Sequence, residues 1–234
     1  FTYIKTMFEL NKLYGWTKFI VVVPSIAIRE GVLSSFDSMS EYFAQEYGKR
    51  IQYFVYNSKQ LSKIDSFAAD AGIHVMIINT QAFNTSLNED KNKEGRAGDA
   101  AARIIFSRRD EFRSRRPIDI LAATHPIMII DEPQSVLGAN KTNQTRKGLK
   151  LFNSLFKLLY SATHRKDDIA NMVYRLDAMD AYNKHLVKKI EVVGVEQKGT
   201  TATNGYVYLE QIIISTGNPQ ARINFDVMRK SGTV

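Results

Sequence analysis

Cysteine is absent from all 234 residues. Disulfides, thiolate zinc sites and cysteine nucleophiles are therefore excluded, and a reducing compartment suits the chain. No apolar run approaches the roughly 18 residues of a membrane-spanning helix, and no basic-then-apolar signal segment opens the sequence. A cytoplasmic protein without membrane contact is expected. Only four histidines occur, His74, His125, His164 and His185, with no i,i+4 pair, so no zinc site is expected. His125 and His164 fall near the edge where ligand-facing motifs gather. Ser161, His164 and Asp167 suggest a hydrolytic triad on paper, but no G-x-S-x-G elbow exposes the serine. There is no internal repeat, and no biased tract beyond two polar stretches, Asn84–Asp99 and Gly138–Gly148, both read as loops.

What is present suits a packed domain with a polyanionic partner. Apolar residues make up 44% and aromatics 11%, enough for a sizeable core. Thirty-two Lys+Arg against 24 Asp+Glu give a net charge of +8, which makes nucleic acid the first partner to test. The chain opens without Met, and the spacing of Ile4, Met7, Phe8, Leu10 and Leu13 predicts a helix already under way, so residues upstream are expected. After Gly15, "KFIVVVPS" is a β-branched run of the kind buried on both faces of a parallel sheet. A helix over Ala27–Tyr47, the strand "RIQYFVYN", the helical "SKQLSKIDSFAADAG" and the strand "IHVMIINTQAF" follow at βαβ spacing.

Further along, a helix is expected from Ala100 to about Thr124, then a strand at Ile127–Ile130, then a helix running into "LFKLLYSATHR". The fold class is α/β, a parallel sheet with helices on both faces. Pro24-Ser25, Asn79-Thr80-Gln81 and Asp131-Glu132 each end a strand, and in open parallel sheets ligands lie beyond the carboxyl ends of the strands. These motifs should line one edge. From Lys188 onward, "KKIEVVGVEQ", "GYVYLEQIIIST" and "ARINFDVMRK" read as a small antiparallel meander. The expected division is residues 1–188 and 189–234.

Two adjacent carboxylates at a strand end suit nucleotide hydrolysis. A divalent ion must bridge phosphate oxygens while a second acid orients the attacking water. Asp131 would hold Mg²⁺ and Glu132 would position the nucleophile.

"VVVPSIAIREG", "INTQAF", "IIDEPQ" and "YSATHR", in that order, resemble motifs Ia, Ib, II and III of superfamily two helicases and translocases. Their wording, with "YRLDAMDAYNKHLVKKIEV" after them, resembles the Res subunit of type III restriction-modification enzymes over about residues 1–193. That resemblance implies a RecA-like, ATP-dependent DNA translocase that carries an endonuclease domain in its full-length form. It further implies ATP and Mg²⁺ as cofactors, and double-stranded DNA and a methyltransferase-specificity (Mod) subunit as partners. By the same resemblance, Gln134 could contact a second motor domain, and Ser161, Ala162 and Thr163 would couple nucleotide state to the DNA surface. Pro24, Ser25, Arg29, Thr80 and Gln81 would meet the DNA backbone, through contacts that position a strand without reading sequence. The tail 189–234 would begin the second motor domain or form an inserted meander.

Departures from the family pattern matter equally. No G-x-x-x-x-G-K-[ST] occurs, so the backbone cradle and lysine that grip phosphates are missing from these residues. "KEGRAGDA" has glycines but no following Lys-Ser/Thr. In the family that loop immediately precedes the helix with which the chain opens, so the chain reads as a motor fragment without DNA-stimulated ATPase activity of its own. The rival reading is a non-catalytic basic α/β module that binds nucleic acid. "FSRRDEFRSRRP" gathers Arg108, Arg109, Arg113, Arg115 and Arg116 in a stretch expected to be helical, either a nucleic-acid contact or a solvated face. Trp16, Tyr42, Phe43 and Tyr47 read as core rather than base-stacking residues.

Overall fold

In the computed structural model the described residues are 1–83, 104–138, 144–162, 171–188, 205–213, 217–218 and 220–227. The chain divides into two compact units, Phe1–Asp177 and Ala178–Val234.

The first unit is built on five parallel strands. In chain order the elements are α1 (Thr2–Tyr14), β1 (Lys18–Val23), α2 (Ile26–Tyr47), β2 (Ile51–Val55), α3 (Ser62–Ala69), β3 (Ile73–Asn79), α4 (Pro117–Ala123), β4 (Ile127–Asp131), α5 (Pro133–Leu137), α6 (Gln144–Leu151) and β5 (Lys157–Tyr160). The strands lie in the order β2-β3-β1-β4-β5. Each parallel pair requires a crossover, and the intervening helices supply it.

Both faces of the sheet are covered, as its largely apolar strands require. Ile20, Val22, Met76, Ile78, Met128 and Ile130 face Phe67, Phe83, Leu121 and Leu149. Their alternates Phe19, Val21, Val23, Val75, Ile77 and Ile129 face Met7, Phe8, Val32, Phe36 and Phe43 from α1 and α2. Gly15 and Gly48 end those two helices at φ 75° and 64°, a left-handed cap that glycine adopts without steric cost. Phe43 is fully buried, Trp16 stacks on Tyr14, and Tyr42 is exposed but packs on Phe1 and Phe43.

Three local expectations need correction. The arginine-rich stretch is not helical. A 3₁₀ turn at Asp110–Phe112, left-handed Arg113 and Ser114, and a bridge between Arg109 and Arg115 form a small hairpin. Pro117 is the reason: it forces the preceding Arg116 into extended backbone (φ −87°, ψ 139°) and starts α4 afresh at its own first position.

The end of the stretch read as the second polar loop is helical from Gln144 onward. Its packing face uses Thr145 and Gly148, small residues that hydrophobic periodicity does not register. Any Cβ at Gly148 would sit 2.9 Å from the Phe83 ring. The third correction concerns "KLLY", which is strand β5 rather than helix. Left-handed Asn153 (φ 47°) turns the chain, and β5 pairs in parallel with β4.

The second unit contains α7 (Ala178–Asn183) and an antiparallel pair, β6 (Gly205–Ile213) and β7 (Gln220–Val227), with a bulge at Leu209/Gln211. This is the antiparallel pairing expected of the tail; its first expected strand, "KKIEVVGVEQ", lies outside the described residues beyond its opening Lys188. Among the described residues no helix is long and apolar enough to cross a membrane.

Candidate functional site

Because β1, β3, β4 and β5 run in parallel, their carboxyl ends form one edge. Val23 pairs with Asn79, Val22 with Ile130, and Asp131 with Tyr160. The turns after them therefore stand in the spatial order Thr80-Gln81, Pro24-Ser25, Asp131-Glu132, Ser161-Ala162. The resemblance singled out Ser161 and Ala162, but the fourth turn was not expected as a strand end, because β5 was expected as helix. His125 lies at the opposite edge, because it precedes β4; it is exposed, at φ 45°, and its Nδ1 lies 3.2 Å from Asn153 Nδ2. Thr163, His164 and Asp167 lie outside the described residues.

The acidic turn has unusual backbone. Four buried residues deliver Asp131, which is partly buried, and Glu132 then adopts left-handed φ 50°, ψ 58°. That conformation costs a non-glycine residue roughly 1–2 kcal/mol. It is held because the Glu132 amide donates to the Tyr160 carbonyl at 3.0 Å while the Ser135 and Val136 amides donate to the Glu132 carbonyl. Pro133 fixes the first position of α5.

The side chains form a relay from β4 to β5. Gln134 donates through Nε2 to the Glu132 carboxylate, and Ser161 Oγ donates to Gln134 Oε1 at 2.7 Å. Gln134 is thus engaged within this unit at both ends of its amide.

Asp131 is electrostatically unsettled. Burial pushes its carboxyl above the ordinary range, and the negative charge of Glu132 adds to this, against a smaller opposing effect of the Glu132 amide. Among the described residues no cation pairs with either acid. Two hard carboxylates at a partly buried strand end, with no cation paired to them, fit a divalent ion such as Mg²⁺.

Tyr3 and Tyr160 stand beside Asp131, and Thr6 meets Tyr160; the two α1 residues carried no signal in the sequence. Tyr3, from the first turn of α1, has its phenol pushed up to about 12 by burial and by Asp131. Its ring meets Tyr160 edge-on at 5.9 Å, and the Tyr160 hydroxyl donates to Thr6 Oγ1 at 3.0 Å. The beginning of α1 therefore lies against the acidic turn.

The residues read as backbone contacts are more open. Ser25 is exposed and caps α2, its Oγ accepting from the Ile28 amide at 3.3 Å. Arg29 is committed to Glu30 Oε1 through Nε and Nη2, at 3.0 and 2.7 Å. Thr80 and Gln81 occupy a 3₁₀ turn directly after β3.

No family model matches the chain. Curated relatives do. It is 32% identical over 207 residues, 81% of its length, to the type III restriction-modification enzyme EcoP15I Res subunit of Escherichia coli. It is 31% identical over 202 residues to the EcoPI Res subunit of Escherichia phage P1, and 24% identical over 257 aligned residues to the StyLTI Res subunit of Salmonella typhimurium. The chain is homologous to Res subunits of type III restriction-modification enzymes. It spans about a fifth of the length of the first two Res relatives, 20% of each, and 24% of the third.

Homology to Res subunits extends over 81–95% of this chain, so it takes in most of the five-stranded unit and its acidic edge. The four motifs that suggested it are, in three dimensions, the four neighbouring turns of that edge.

Proposed function

We propose that the chain is part of the motor of a type III restriction enzyme, a subunit that couples Mg-ATP hydrolysis to movement on double-stranded DNA before cleavage. Residues 1–188 act as its first, RecA-like motor domain, and residues 189–234 as the start of the second domain or an inserted meander. The Mod subunit is its partner and the cytoplasm its compartment. The single observation that carries this reading is the acidic turn: a partly buried Asp131 beside a left-handed Glu132 tied through Gln134 to Ser161.

Mg-ATP, when bound, supplies the phosphoryl group to be transferred and the positive charge that the two acids lack. Asp131 would hold the metal, whose charge would offset the penalty burial imposes on its ionised form. Glu132 orients the attacking water and takes its proton at a carboxylate oxygen. The Gln134 amide fixes the orientation of that carboxylate, and Ser161 fixes the amide, so any displacement of the β5 turn reaches Glu132 in two hydrogen bonds. The phosphate-gripping loop is not among these residues, so the test belongs in the complete protein. There Glu132→Gln lowers ATP hydrolysis by roughly 10²–10⁴-fold while ATP binding persists, because the amide keeps the shape and loses the basic charge. Undiminished hydrolysis in that variant would leave the non-catalytic reading in its place.

A further inference from the structure

The arginine hairpin lies outside every motif used above. Its backbone is closed on itself: the amides of Phe112, Arg113, Ser114 and Arg115 all donate within the segment, at 2.9–3.1 Å. Phe112 and Ile105 pin it to the core, and the Ile118 amide donates to the Ile105 carbonyl at 3.0 Å. A turn satisfied in this way presents guanidinium groups on a rigid support.

Two of the five arginines are engaged with other side chains, and a third, Arg115, donates through Nε alone to the Phe112 carbonyl of its own hairpin at 3.3 Å, which steadies its guanidinium. Arg116 forms a forked pair with Asp119, through Nε and Nη2 at 2.8 and 2.6 Å. Arg109 is half-buried, with Nε shielded from solvent, and its charge acts on the hydroxyl of Tyr56. Arg108, Arg113 and Arg115 are exposed, and among the described residues none of them pairs with a carboxylate.

Topology fixes where these three stand. α4 leads into the amino end of β4, so its first turn, and Arg116 before it, lie toward the carboxyl edge of the sheet. Tyr56, which Arg109 approaches, is the residue immediately after β2 and donates to Ile77 of β3. The hairpin therefore flanks the edge that carries Thr80-Gln81 and Pro24-Ser25.

We propose that Arg108, Arg113 and Arg115 form a clamp for the DNA sugar-phosphate backbone, extending the strand-end contacts at Ser25 and Thr80 outward along the duplex. This rests on the motor reading for the identity of its partner. Guanidinium forks match phosphate oxygens in pairs, and a chain of net charge +8 brings them to a polyanion. Such a clamp holds DNA at any sequence, as a translocating protein requires.

The test is a salt titration of the complete protein on a fluorescent duplex, by anisotropy, with two unrelated sequences. Replacing all three arginines by glutamine (R108Q/R113Q/R115Q) lowers affinity for both sequences. It also reduces the slope of log affinity against log salt by roughly two to three, at about 0.9 per phosphate contact. The triple lysine variant (R108K/R113K/R115K) keeps most of the slope, which separates lost charge from lost fold, and hydrolysis without DNA is unchanged in both. An unaltered slope, or a loss confined to one sequence, would overturn the clamp. If the slope is unaltered while Glu132→Gln still abolishes hydrolysis, the clamp fails and the motor reading stands. If the slope falls but Glu132→Gln leaves hydrolysis intact, the clamp stands and the motor reading fails.

Discussion

The acidic turn after β4 and the basic hairpin before α4 both rely on left-handed backbone at residues other than glycine, Glu132 in one and Arg113 with Ser114 in the other. They hold that conformation by different means. Glu132 is held from a distance, by the Tyr160 carbonyl of the neighbouring strand and by a side-chain relay to Ser161. The hairpin is held by its own amides and one buried ring, Phe112. The acidic geometry therefore depends on the whole sheet, and the basic geometry on a single anchor. Partly buried acids suit chemistry that needs a low dielectric, whereas exposed arginines suit capture of a large polyanion.

The largest effect expected from breaking this contrast comes from the anchor. Phe112→Ala removes a ring only 3% exposed and should cost about 3–5 kcal/mol, a large share of the roughly 5–15 kcal/mol typical of a domain. Denaturant unfolding measures that loss. Hydrogen exchange should show protection falling at residues 104–116 and persisting at 127–134; equal loss at both would mean the two regions do not stand independently.

The same contrast explains what could be read in advance. The sheet was legible because β1, β3 and β4 are apolar almost throughout, with His74 the one polar residue inside β3, a pattern that suits burial on both faces. The acidic pair was legible because its address, the end of such a strand, is itself a local pattern. The hairpin was misread because arginine is a good helix former and the decisive residue, Pro117, stands after the cluster rather than inside it. β5 was missed because four residues with an exposed Lys157 carry little periodicity; its identity comes from pairing with β4. Tyr3, Thr6 and Tyr160 meet only through the sheet, and no spacing along a chain announces a contact between α1 and β5.

A smaller effect belongs to the forked pair at the base of the hairpin. Hydrogen bonds from Arg116 hold the Asp119 carboxyl below the ordinary range, a stabilisation present above its unfolded pKa and lost as pH falls through the folded one. Both side chains are about half exposed, at 50% and 49%, so solvent screening limits the pair to no more than about 1 kcal/mol. Asp119→Asn should lower the unfolding midpoint slightly at neutral pH, less so in high salt, and not at all once carboxylates are protonated. A deficit that persisted in acid would assign the effect to packing.

The smallest effect is expected at Asp131, and its sign is opposite. Burial and the charge of Glu132 raise this carboxyl, so the unfolded chain ionises first as pH climbs. The fold consequently loses stability as pH rises through the raised pKa, and it gains nothing from this group below the unfolded one. Tyr3, pushed up to about 12, stays neutral across that window and contributes no charge. Asp131→Asn should therefore match the parent in acid and melt slightly higher near neutrality. On the motor reading, millimolar Mg²⁺ should raise the midpoint of the parent through preference for the folded state, offsetting the difference from the other side, and should leave the asparagine variant unmoved. Identical midpoints for the two proteins at every pH, with or without Mg²⁺, would mean that Asp131 is fully solvated and would remove the physical distinction between the acidic turn and the exposed hairpin.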